Sequence, residues 1–166
     1  MFEIDYRIVH SEYDDFIGQN GFLQIICNEH IYGEVYPVEL EMVMDKVSLF
    51  DWFERLVRVI QYLNTEEYVA LSDVESYNTW VEFYRKNEEV TISIVTAEKE
   101  KGSRDIEFNL KDPIEGEWSN QVISYSQLKD EIVKKTMEYI ESIVASNSKE
   151  IDIDVIKDNL EKLRSR

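Results

Sequence analysis

The stretch SLFDWFERLVRVIQYLN, Ser48–Asn64, decides how the rest of the chain is read. Ser48 is placed to cap a helix, because its hydroxyl can accept a backbone N–H of the first turn. Asp51, three residues on, has the sign that complements the helix dipole. Leu49, Trp52, Phe53, Leu56, Val59, Ile60 and Leu63 recur at spacings of three and four, which predicts one broad apolar face. Arg55, Arg58 and Gln61 fall largely on the other side. Asn64 tolerates the left-handed conformation and is an acceptable stop. The same periodicity assigns Phe50, Trp52 and Phe53 to a core rather than to a ligand pocket. A helix this apolar needs a sheet to lie on, and strand-like sequence flanks it on both sides.

Upstream, Phe2, Ile4, Tyr6 and Ile8 alternate with Glu3, Asp5 and Arg7, the pattern of a half-buried first strand. An acidic loop, SEYDDFIGQNG, follows, with Asn20-Gly21 read as its turn. Gly21–Cys27 is a second strand, Asn28–His30 its turn, and Ile31–Met44 a long third strand. Pro37 lies inside that third run and cannot donate to a ladder, so an edge position, a bulge or a break is expected there. Val38, Leu40 and Met42 alternate with Glu39 and Glu41, which predicts one wet, acidic face.

Downstream, Tyr68–Ser72, Tyr77–Arg85, Val90–Ala97 and Asp105–Leu110 read as strands of an antiparallel meander. The last of these is expected to pair behind the charged turn EKEKGSR, and Lys111–Asn120 is a loop. The final third is helical. Ser124 with Gln127 makes a capping box, Ser126 is an equally good N-cap, and Leu128, Ile132, Val133, Met137, Ile140, Ile143 and Val144 supply an apolar face. Asp152 is placed to cap a short last helix carrying Val155, Ile156, Leu160 and Leu163, with basic Lys162, Arg164 and Arg166 at its end. The expectation is one α+β domain over residues 1–166. In it an antiparallel sheet of about six to seven strands packs against the central helix and C-terminal helices, and 152–166 forms a peripheral terminal helix.

Composition narrows the function classes. A chain of 166 residues with 12% aromatics is long and apolar enough to bury roughly two-thirds of its unfolded surface. No apolar run approaches the ~20 residues of a bilayer span, and MFEIDYRIVH has neither the basic leader nor the continuous apolar segment of a secretory signal. The single cysteine, Cys27, forms no internal disulfide and sits in the apolar run FLQIIC, the setting of a buried, inert thiol in a reducing cytoplasm. Thirty-five acidic and 18 basic residues give a net charge of −17. Residues 1–47 alone hold ten acids and two bases, a charge of −8. Such a field repels nucleic acid and anionic membranes and favours a cationic protein partner.

No motif for catalysis stands out. Two histidines, His10 and His30, with one cysteine do not assemble a typical zinc site, and the five glycines lack phosphate-cradling spacing. Carboxylate pairs such as Asp14 with Asp15, and Glu39 with Glu41, read as solvated faces, and no cofactor is expected. On one strand face Glu39 and Glu41 would lie close enough to hold a cation or a basic side chain. Tyr13, Phe16, Tyr32, Tyr36, Tyr77, Tyr84, Trp118 and Tyr125 exceed what the centre of the core can take. Aromatics ringed by carboxylates serve as anchors for a cationic protein surface, or else cap sheet edges and loops.

Acidic strands around Gly21, a helix bearing Trp52 and Leu56, a strand pair from Tyr68 to Phe83 with Trp80, and a C-terminal helix form an order that resembles small acidic immunity proteins, which bacteria make beside secreted polymorphic toxins. The likeness lies in size, charge and architecture; the glycine-rich signature of one such group is missing, and no functional residue is carried over. The resemblance implies a non-catalytic cytoplasmic protein that binds a cognate, cationic toxin domain and occludes it. Asp14, Asp15, Phe16, Tyr36, Glu39 and Glu41 are the residues expected to carry the contact. Two other classes stay open: an enzyme with a site assembled from dispersed carboxylates and tyrosines, and a structural or regulatory homodimer joined through its C-terminal helices.

Overall fold

Ser48 does begin a helix, and its hydroxyl accepts the Asp51 N–H as the capping pattern requires. In the computed structural model, which describes residues 1–146 and 153–164, this helix α1 runs from Leu49 to Tyr62. Leu49, Trp52, Phe53, Leu56, Val57, Val59 and Ile60 are buried along it. At 3.6 residues per turn these positions cover roughly 160° of arc, well beyond the stripe of an ordinary surface helix. One sheet cannot cover so wide a face. The chain supplies two.

The smaller sheet holds β1 (Phe2–Ile8), β2 (Asn20–Cys27), β3 (His30–Glu34) and β4 (Val47–Ser48), with β2 central and β4 following β3 along the same edge of β2. The larger sheet holds β5 (Tyr68–Ser72), β6 (Thr79–Lys86), β7 (Glu89–Thr96), β8 (Ile106–Glu107), β9 (Ile114–Glu115) and β10 (Gln121–Ser124). Its order is β10-β7-β6-β5-β8, and β9 also pairs with β7. All pairings are antiparallel, so the α+β class stands as read, with the strands shared between two sheets. Helix α2 (Tyr125–Ala145) is capped by Ser124, whose hydroxyl accepts the Gln127 N–H, and α3 (Asp154–Arg164) packs on α1. The expected cap at Asp152 and the basic Arg166 lie outside the described residues.

One apolar cluster takes side chains from both sheets and all three helices, including Ile4, Ile25, Phe53, Phe83, Ile132 and Leu160. Helix α3 spends its apolar face inside this chain: Ile156, Leu160 and Leu163 are buried, and the Gln61 side chain donates to the Asn159 carbonyl at 3.0 Å. Polar bonds tie the two sheets. Tyr32 O–H donates to Asp73, Trp118 Nε1–H to the Ile31 carbonyl at 3.0 Å, and Asn28 Nδ2–H to Gln121 Oε1 at 3.1 Å.

Three readings are corrected. Asn20-Gly21 is the start of β2 and not a turn. Gly21 is required there because a Cβ would meet the Arg7 carbonyl oxygen at 2.1 Å and Leu49 Cδ1 at 2.6 Å. The third strand stops at Glu34, and Pro37 opens a single 3-10 turn, Val38–Leu40; the break foreseen at Pro37 therefore ends the strand altogether. Residues 106–107 pair with β5 and not with β7, because β9 and β10 occupy the outer edge of β7. Arg55 fixes this placement by donating to the Ser72 carbonyl at 3.1 Å while its other nitrogen lies 3.4 Å from Asp105.

Leu56 is fully buried where α1 meets the shared core. Leu56→Ala is expected to cost about 2–5 kcal/mol in urea-induced unfolding, through lost burial and the cavity left behind. A loss below about 0.5 kcal/mol, the scale of an ordinary surface substitution, would contradict the central position of α1.

Candidate partner-binding surface

The strand registers bring two loops to the same end of the smaller sheet. Ile8 and Val47 both stand opposite Gly21, and Glu34 stands opposite Leu23. Residues 9–19, between β1 and β2, and residues 35–46, between β3 and β4, therefore leave from one rim. All six residues expected to carry a contact lie on these two segments.

The first loop is held by its own polar groups. Asp14 accepts the Ser11 N–H at 3.0 Å and the Asn20 side-chain amide at 2.8 Å, so this carboxylate organises the loop. Asp15 is exposed, and its backbone N–H donates to Gln19 Oε1 at 2.8 Å. Phe16 rests edge-on against Phe50, with ring centroids 5.8 Å apart. Gly18 has φ +96°, and its carbonyl accepts the buried Tyr139 hydroxyl at 2.8 Å, which pins the loop to α2.

The second segment folds back over the outer face of the sheet. Leu23, Ile25 and Cys27 point into the main core; Phe22, on the opposite face of β2, lies outside that cluster and is nonetheless only 1% exposed. Tyr36 lies edge-on to it at 5.3 Å between ring centroids, and the Arg7 guanidinium sits 5.2 Å from its ring centroid. Arg7 donates to the Tyr36 carbonyl and to Glu41 Oε2, each at 2.6 Å. Arg7 and Phe22 thus clamp residues 36–41 to β1 and β2. Glu39 and Glu41 do not share a strand face: the 3-10 turn sends Glu39 to solvent, while Glu41 is neutralised by Arg7.

Sequence reasoning missed the apolar side of this segment. Alternation suggested that Val38, Leu40 and Met42 would be covered, but the turn presents them instead. Val38 is 65% exposed, Met42 84% and Val43 73%, and Tyr13 on the neighbouring loop is 87% exposed. Local backbone bonds hold the turn: Leu40 N–H donates to the Pro37 carbonyl at 3.0 Å, and Val43 and Met44 N–H both donate to the Leu40 carbonyl, at 3.1 and 3.0 Å. Exposed Glu12, Asp15, Glu39 and Asp45 lie on the same two segments. The signal available in the sequence was Pro37, which ends the strand and with it the period-two logic.

The remaining chemistry-bearing groups sit elsewhere. Tyr32, Trp118 and Tyr125 are buried, and Tyr77 and Tyr84 are exposed. Burial first, and then the Asp73 carboxylate, raises the Tyr32 phenol above its ordinary range; burial and Glu82 do the same to Tyr68. Both phenols are held as protonated donors. Burial pushes the Cys27 thiol up to about 11. His10 and His30 are exposed. Among the described residues no three His, Cys, Asp or Glu side chains are grouped to hold a metal ion, and no helix is long and apolar enough to cross a membrane. Compared with known proteins, the chain matches no family model, no curated protein and no solved structure.

Two measurements follow from this geometry. Arg7→Met should make residues 35–46 exchange amide hydrogens and suffer protease cleavage markedly faster, with a thermal midpoint close to that of the wild type; equal protection in both proteins would show that the clamp is not what holds the segment. The folded Cys27 thiol keeps its proton more tightly than the unfolded one, so its contribution to stability is present below the ordinary thiol range and is lost as pH rises toward 11. Native protein at pH 8 should resist a thiol-reactive chromophore until denaturant is added.

Proposed function

We propose that this chain is a non-catalytic binding module that captures a cationic protein through the rim formed by residues 9–19 and 35–46. The observation that carries the reading is the apolar group Val38, Leu40, Met42 and Val43, exposed on a clamped turn in the most acidic third of the chain. An apolar centre with a charged surround is the anatomy of a protein–protein contact: the centre supplies affinity, and the surround supplies steering and partner choice. A turn already ordered by backbone bonds and by Arg7 has little conformational entropy left to lose on binding. Together with the likeness in size and charge to immunity proteins, this supports an inhibitor in a bacterial cytoplasm that occludes a cationic toxin domain. A field of −17 disfavours nucleic acid and anionic membranes as the target.

In this reading, exposure selects which acids would carry the steering. The Asp14 carboxylate is tied to Ser11 and Asn20 and Glu41 to Arg7, whereas exposed Asp15 accepts only a 3.4 Å bond from the Gln19 amide, so Asp15 and Glu39 are the acids open to a basic surface. The test begins with affinity capture from the host lysate at low and high salt, followed by kinetics on the retained basic protein. Val43→Glu should weaken that complex by about 2 kcal/mol or more, mainly through faster dissociation. Asp15→Lys with Glu39→Lys should slow association and flatten its salt dependence. Binding unchanged in both variants would move the contact to another face, and a retained protein of acidic or neutral surface would overturn the partner class.

A further inference from the structure

We propose that Met42 is a site of reversible oxidation, at which a peroxide weakens the docking surface; the second half of this statement rests on the binding role proposed above. The chain has four methionines, and their surroundings differ. Met42 is 84% exposed and directly follows the clamped residues 36–41. Met44 and Met137 are partly buried, and the Met137 sulfur accepts an N–H of the Arg164 guanidinium at 2.8 Å, which makes it a poorer nucleophile. Met1 is 52% exposed, but its carbonyl accepts the Asn28 N–H at the opposite end of the β1–β2 pair, far from the rim.

The chemistry is a two-electron oxygen transfer. The thioether sulfur of Met42 attacks one oxygen of hydrogen peroxide, a sulfur–oxygen bond forms and the O–O bond breaks. The other oxygen leaves as water after proton transfer, so sulfur loses two electrons and the peroxide gains them. The product, a sulfoxide, is polar and a strong hydrogen-bond acceptor, and thiol-dependent reductases return such groups to the thioether. At a buried methionine this change disrupts packing. Met42 is 84% exposed, and the turn is held by backbone bonds from Leu40 N–H to the Pro37 carbonyl and from Val43 N–H and Met44 N–H to the Leu40 carbonyl, none of which uses the side chain. Oxidation therefore alters what the surface offers and leaves the fold as it was: the most exposed member of the group Val38, Leu40, Met42 and Val43 changes from apolar to polar.

The test needs the purified chain and dilute hydrogen peroxide. Peptide mass spectrometry follows each methionine with time, and hydrophobic-interaction chromatography at high salt, where surface charge is screened, reads the apolar surface. Met42 should oxidise about tenfold faster than Met44 and Met137, in line with its exposure. The species that peptide masses show to be oxidised at Met42 alone should elute earlier at an unchanged thermal midpoint. Met42→Leu should elute like the untreated wild type, and any shift on the same treatment should be only the one that a Met1 sulfoxide gives in both proteins. Equal oxidation rates at the three internal sites, or an oxidised protein that co-elutes with the untreated one, would overturn the proposal. For the captured basic protein, peroxide should cost the wild type about tenfold in affinity and Met42→Leu nothing, and equal binding before and after treatment would remove the regulatory consequence. If untreated wild type holds no cationic protein, the binding role falls and the regulatory consequence with it, while the chromatography still decides the site of oxidation.

Discussion

The architecture depends on the burial of α1. Seven of its 14 residues are buried over an arc too wide for a single neighbour, so the helix is a shared floor on which two sheets and two further helices must meet. Removing apolar area from water is roughly additive, and here most of that area is gathered around one element. Arg55 at one flank and Gln61 at the other convert this undirected attraction into a fixed placement. Arg55 sets the edge of the larger sheet and Gln61 the position of α3. The two sheets are then joined by Tyr32, Trp118 and Asn28, whose polar ends find partners across the junction. Nondirectional burial brings the layers together, and a few hydrogen bonds decide how they face.

What the sequence disclosed follows from which interactions are local. Helix α1 was legible because capping by Ser48 and the three-and-four spacing are properties of adjacent turns. The N-cap of α2 was narrowed to Ser124 or Ser126 for the same reason, and Ser124 is the one used. The period-two runs gave β1 and β7, and β-rich composition gave β6, within a few residues. Pairing was less accessible. The choice of β5 over β7 by residues 106–107 depends on β9 and β10, which lie further along the chain, and on Arg55, which lies well before it. The role of Gly21 was misjudged for a related reason. A glycine beside asparagine suggests a turn, whereas here it admits the Arg7 carbonyl and the Leu49 side chain, both distant in sequence.

The candidate surface shows the same division. The acidic and aromatic residues of its two segments were readable in the sequence, and the strand registers bring those segments to one rim. The assignment of individual side chains was not, because Arg7 chooses among the acids by geometry: it takes Glu41 and leaves Glu39 to solvent. Phe22 is the clearest case. It sits on the outer face of β2, and it is buried only because Tyr36, fourteen residues on, folds back over it.

The seating of the 35–46 segment has a further consequence. The chain leaves the edge of β2 after Glu34 and rejoins that same edge at Val47, so both ends of the excursion are tied to one strand. Strand register is therefore settled outside the segment, and extra residues within it add only slowly to the entropy of closing the loop. The larger sheet repeats the device on β7, where β9 and β10 bracket residues 116–120 along a single edge. Each bracket works as a socket whose insert can vary in length and composition while the frame keeps its alignment. A lineage carrying such a frame can change what these loops present without changing how it folds.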